Sequence, residues 1–266
     1  MKKFLLSFVT TAVLGLSSVA SNAAFLPVTI NETLLTDVGT LVVPNVGKLN
    51  GSYQEVLTVT AGVGPNPPTF AATVFAVFSG ARNTAGGFIA SGMGSSYNLY
   101  AVFNSTGVVS GPTSFTGLAG SFDLYIDRNT DTTGTFGATG DISVTRNNFS
   151  DDTKIASSSN ITFAQGTGVG TSASAFKFLF DDFTLTADGK QYFTAPNPFY
   201  MTVNVNGDFD DGLNATTPGT YGTNADPVTG DVSANFEVPE PGSIALLGLG
   251  LAGLGLTQRR RKLVSK

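Results

Sequence analysis

Phe176-Lys177-Phe178-Leu179-Phe180-Asp181-Asp182-Phe183-Thr184-Leu185 decides the fold class. Side chains alternate between two faces along an extended chain, so Phe176, Phe178 and Phe180 share one face while Lys177 and Leu179 take the other. Similar runs, rich in branched and aromatic residues, occur at 53–60 (YQEVLTVT), 70–78 (FAATVFAVF), 97–103 (YNLYAVF) and 122–126 (FDLYI). Three more lie at 142–146 (ISVTR), 161–164 (ITFA) and 200–205 (YMTVNV). Gly, Ser, Thr, Asn and Asp clusters separate them and mark turns. No segment of the body sustains a helical apolar stripe. The pattern predicts an all-β fold, a single antiparallel β-sandwich or jelly-roll-like domain. With 21 Phe and no Trp, the core between its sheets is expected to be packed with Phe. An aromatic platform for stacking on sugars is the alternative use of these rings, with Tyr53, Tyr97 and Tyr100 as its candidates.

Composition narrows the chemistry. The 266 residues include no His and no Cys, which excludes Ser-His-Asp and Cys-His nucleophiles, His-ligated zinc, thiolate metal sites and disulfides. Stability must come from a core, which a body of this length can bury. Carboxylate chemistry of the glycosidase kind survives as an enzymatic option, and Asp151-Asp152 and Asp181-Asp182 are the adjacent acids to consider. Neighbours on a strand point to opposite faces, so Asp181 and Asp182 cannot serve one cleft unless the strand bulges. The expectation is that the protein is not an enzyme.

Two segments carry oxygen ligands at alternate positions. Asp127, Asn129 and Asp131 follow a strand, and Asp208 and Asp210 repeat the theme within Asn206-Gly207-Asp208-Phe209-Asp210-Asp211-Gly212. Hard Ca²⁺ takes about six to eight oxygens, and such segments supply several. Neither segment carries the Gly at position 6 together with the Glu at position 12 of an EF-hand loop. Asp and Asn are also common turn formers, so calcium ligation and plain turns both stand as readings. Asn31, Asn104, Asn148, Asn160 and Asn214 open Asn-x-Ser/Thr triplets, which the chain's richness in Asn, Ser and Thr explains.

Both ends read as processing signals. Met1-Lys2-Lys3, an apolar run over 4–16 and small residues at Ser21 and Ala23 make 1–23 a secretory signal peptide cut after Ala23. At the other end stand Val238-Pro239-Glu240-Pro241, an apolar run over 244–256, and the basic stop Arg259-Arg260-Arg261-Lys262. From Gly242 to Thr257 a helix would measure roughly 24 Å, short of the roughly 20 residues of a permanent span. The basic cluster would stay cytoplasmic and leave the Pro-Glu-Pro tripeptide on the outer face. Without its terminal cations, Glu237 and Glu240, the body keeps 7 basic and 17 acidic residues, a net charge of about −10. That surface repels phosphate backbones and argues against a nucleic-acid partner.

The motif, the short Leu/Gly/Ala run and the Arg cluster, in this order, resemble the PEP-CTERM sorting signal of Gram-negative bacteria. The resemblance implies processing by an exosortase-type membrane enzyme after export by the secretion machinery, with transient membrane insertion through 237–266. It covers about a tenth of the chain. The body, 24–236, has phrases that resemble the flocculation-associated type of PEP-CTERM protein: Lys48-Leu49-Asn50-Gly51-Ser52-Tyr53-Gln54-Glu55, Phe180-Asp181-Asp182-Phe183-Thr184-Leu185, 203–210 (VNVNGDFD) and Gly230-Asp231-Val232-Ser233-Ala234. This second resemblance implies a protein of the outer surface or matrix that supports flocculation or biofilm with exopolysaccharide, and it offers no catalytic residues. A soluble carbohydrate-binding module is the alternative function.

Overall fold

Alternating branched and aromatic residues become strands in the computed structural model, which describes residues 27–34, 40–137, 143–168, 175–196, 202–207, 218–221 and 228–237. In chain order these are β1 (Val28–Asn31), β2 (Val42–Val46), β3 (Lys48–Thr60), β4 (Thr69–Arg82), β5 (Phe88–Ile89) and β6 (Asn98–Gly111). Next come β7 (Ser114–Asp127), β8 (Thr133–Phe136), β9 (Val144–Asn147), β10 (Thr153–Ser158), β11 (Asn160–Thr167) and β12 (Ala175–Asp181). The last are β13 (Thr184–Leu185), β14 (Phe193–Ala195), β15 (Thr202–Gly207), β16 (Gly219–Tyr221) and β17 (Val228–Glu237). A short helix, α1 (Ala187–Tyr192), is capped by Thr186, whose hydroxyl accepts the Gly189 N–H at 3.0 Å.

The named strands pair antiparallel throughout, as the alternation predicts. Their arrangement differs from the expected sandwich of two sheets. Residues 122–126 of β7 pair with β10, while Ser114, Phe115 and Thr116 pair with Thr167, Gly166 and Gln165 of β11. One curled sheet therefore meets itself, and the circuit β7, β11, β12, β15, β17, β3, β4, β6 returns to β7. Strand twist accumulates around such a sheet, and register shifts at Asn50/Gly51, Thr106/Gly107 and Ile161/Phe163 bend its long strands further. Closure gives each strand of the circuit a partner on both sides, for β11 over Gln165, Gly166 and Thr167.

The inner face holds the Phe-rich core. Phe103 on β6 meets Phe178 on β12 at 5.7 Å, Phe122 on β7 meets Phe180 at 5.4 Å, and Tyr53 on β3 meets Phe176 at 5.4 Å. Phe176, Phe178 and Phe180 point inward together, as their spacing requires. A small sheet, β14-β1-β2, packs with α1 against the same core, where Phe193 touches Phe236 of β17 at 5.5 Å. On the outer face Val56, Phe75, Tyr100 and Phe136 form a second cluster beneath the β8–β9 hairpin.

Candidate functional site

The outer face gathers the polar chemistry that the acidic segments foreshadow. β6 and β7 set Tyr100 opposite Tyr125, and the rings stack at 5.0 Å between centroids and 9° between planes. Phe75 extends the stack beyond Tyr100 at 5.1 Å, and the Arg146 guanidinium of β9 lies 4.3 Å from the Tyr125 centroid and 4.7 Å from that of Phe149. The Tyr100 hydroxyl donates to Asp152 and accepts from Arg146 Nη1 at 2.8 Å. Burial and the Asp152 carboxylate hold the Tyr100 phenol well above its ordinary range. Thr132 Oγ1 also donates to Asp152, at 3.1 Å to each oxygen. Burial raises the Asp152 carboxyl against the lowering effect of these two donors.

Asp127 ends β7 buried. Its carboxylate accepts the Asp131 N–H at 3.3 Å and the Thr132 N–H at 3.1 Å, closing the loop in which Thr130 takes a φ of 57°. Burial moves its carboxyl upward, and the two backbone donors oppose that shift. Asn129 and Asp131 are exposed. The carboxylate takes the backbone donors of the residues four and five positions on, doing a neighbouring peptide's work. Among the described residues, no group of three or more acids is placed to hold a metal ion. Asp208 and Asp210 lie outside the described residues. Gly207, just before them, ends β15, which runs opposite to β7 around the ring, so Gly207 and Asp127 stand at opposite ends of it.

Tyr53, Tyr97 and Tyr100 are all buried, so none of them forms a surface platform. The exposed rings of Phe88, Phe149 and Phe163 each carry a cation, from Arg82 at 3.7 Å, Arg146 at 4.7 Å and Lys177 at 6.0 Å. Tyr125 has Tyr100 on one side and Arg146 close by. Asp151 and Asp152 share a turn, and one oxygen of Asp151 is buried with no hydrogen-bond partner. β12 ends at Asp181, and Asp182 turns the chain with a φ of 55°. Lys154 and Asp123 make an exposed ion pair at 2.6 Å, a type of contact that contributes about 0 to 1 kcal/mol.

Two buried acids carry no motif in the sequence. Glu32, fully buried after β1, accepts the Gly92 N–H at 2.9 and 3.1 Å and the Tyr97 hydroxyl at 2.9 Å; the Tyr97 and Tyr192 hydroxyls lie 2.6 Å apart. The four groups tie β1, the connection before β6 and α1 together. Glu55 stands on the inner face of β3 among apolar neighbours. Alternation was the available signal for Glu55, because it shares a face with Tyr53 and Leu57.

Val238, Pro239, Glu240, Pro241, Ala23, Arg259, Arg260, Arg261 and Lys262 lie outside the described residues. Directly after the last core residue, Phe236, the sequence enters a recognised signal. Residues 237–261 match the PEP-CTERM protein-sorting motif. The chain otherwise matches no curated protein and no solved structure. The PEP-CTERM motif implies an exported, membrane-anchored protein that an exosortase-type membrane enzyme processes. Among the described residues no helix is long and apolar enough to cross a membrane.

Proposed function

We propose that the protein is a non-enzymatic component of the cell surface or extracellular matrix that supports cell aggregation, as flocculation or biofilm, together with exopolysaccharide. The PEP-CTERM motif carries this reading, because it makes delivery out of the cell the defining event in the protein's life. The secretion machinery takes the chain through 1–23, Ala23 is the cleavage point, and the tail is a transient membrane handle. A body without His or Cys supports the absence of catalysis. So does the engagement of Glu32, Asp127 and Asp152 in bonds that hold the fold. Aggregation then comes from many weak contacts between copies of an acidic β domain and polymer, with avidity supplied by copy number.

Deleting the coding gene in the host and scoring flocculation, while locating the processed protein by fractionation, tests the proposal. Lost or weakened flocs, restored by complementation, are expected. Normal flocs in the deletion strain and no association of the protein with exopolysaccharide would sink it.

A further inference from the structure

The inner face of β3 reads Tyr53, Glu55 and Leu57, so a carboxyl occupies a place that alternation otherwise gives to apolar groups. Glu55 is 7% exposed and lines a cavity of about 10 Å³ with Ser105, Phe70, Phe115 and Phe178. The Ser105 side chain is also buried, and its Oγ has no hydrogen-bond partner. The walls contributed by β4, β6, β7 and β12 carry no charged or titratable side chain, and β17 places Val228 opposite Glu55. Tyr53, on Glu55's own strand, and Tyr221 of β16, which pairs with Leu57 and packs on the same core, are the titratable neighbours among the described residues.

Beside this cavity the ring has its shortest backbone ladder. Three residue pairs connect β7 to β11, against five between β12 and β15 and six between β15 and β17. Phe115, in the middle of that seam, is itself part of the cavity wall. An ionised carboxyl needs water or donors that apolar walls do not supply. Opening this joint gives up the fewest backbone pairs of any in the ring.

We propose that Glu55 is a proton-operated latch: with its proton it lets the ring stay shut, and as a carboxylate it opens the β7–β11 seam and admits water to the cavity. Burial among these walls pushes the Glu55 carboxyl up from 4.5 to about 8. Between those values the open, hydrated state has released the proton and the closed state has kept it, so closure weakens as pH rises, approaching tenfold per pH unit. Below the lower value both states are protonated, and above the upper value both are ionised, so the dependence fades at each end.

Amide hydrogen exchange on the full chain in detergent tests the latch, read at residues 114–116 and 165–167 and corrected for the intrinsic pH dependence of exchange. Between pH 6 and pH 9 the opening equilibrium at the seam should rise about 100-fold. Glu55→Gln, which keeps the shape and cannot ionise, should remove that rise. A second variant, Thr116→Cys with Gln165→Cys, cross-links the seam in a chain with no other cysteine and should also hold the opening at its pH 6 level. A wild-type seam that does not respond to pH would overturn the proposal, as would a rise that persists in the cross-linked chain. The same rise in Glu55→Gln as in wild type would overturn it equally.

Discussion

Removing the buried carboxylate of Glu32 should destabilise the folded body more than removing either hydroxyl that surrounds it. Glu32→Ala leaves the Gly92 N–H and the Tyr97 hydroxyl without their acceptor. A hydrogen bond to a charged group contributes roughly 1.5 to 3 kcal/mol, and the Tyr97 hydroxyl keeps Tyr192 as a partner. Desolvation of the carboxylate, recovered on its removal, offsets part of the loss, so about 3 kcal/mol is expected. For a body of this size each kcal/mol moves the melting temperature by about 2 to 4 °C, so the variant should melt about 6 to 12 °C lower. Tyr97→Phe removes one of the donors and should cost about 1 to 2 kcal/mol. The double variant should show a coupling energy of about 0.5 kcal/mol or more, because both changes act on one network. Circular-dichroism melts of the four proteins measure all of this. A Glu32→Ala melt within about 2 °C of wild type would mean that the acid holds nothing together.

Phe180, fully buried between Phe103, Phe122 and Phe178, should cost about 3 to 5 kcal/mol when changed to Ala, read by urea unfolding. Gly166 lies in the seam where an added Cβ would stand 1.9 Å from the Phe115 ring, so Gly166→Ala should destabilise by about 1 to 3 kcal/mol and raise exchange first at 114–116. Asp127→Asn weakens the acceptor that closes the 127–132 loop and should cost about 1 kcal/mol in thermal melts, and added Ca²⁺ should not restore it, because the loss is that of a turn.

Much of the strand content is legible from local alternation. The eight apolar runs fall on or against β3, β4, β6, β7, β9, β11, β12–β13 and β15, and Phe176, Phe178 and Phe180 point where their spacing puts them. β1, β2, β10, β14 and β17 carry weaker local signals and owe their form to their neighbours: Val28 and Ile30 become strand because β2 and β14 pair with them. Closure of the ring is not local at all, since Phe115 and Gly166 meet across some fifty residues of chain. Tyr53, Tyr97 and Tyr100 look like surface aromatics in a polar sequence, yet each side chain is buried, and the Tyr97 and Tyr100 hydroxyls donate to the Glu32 and Asp152 carboxylates. Asp127 sits where a calcium loop would begin, and it closes a turn by accepting two backbone N–H groups. Glu32 follows a short strand with nothing around it in sequence to announce a buried network, because its partners come from residues 92, 97 and 192.

If residues 237–261 act as a sorting signal, the mass and location of the protein produced in its own host will show it. With Pro239, Glu240 and Pro241 intact, an exported form that has lost the basic end beginning at Arg259 is expected. Pro239→Ala, Glu240→Ala and Pro241→Ala together should leave the tail in place and the chain held in the membrane fraction. Identical mature masses and identical fractionation for the two proteins would mean that the tail is not processed as a sorting signal.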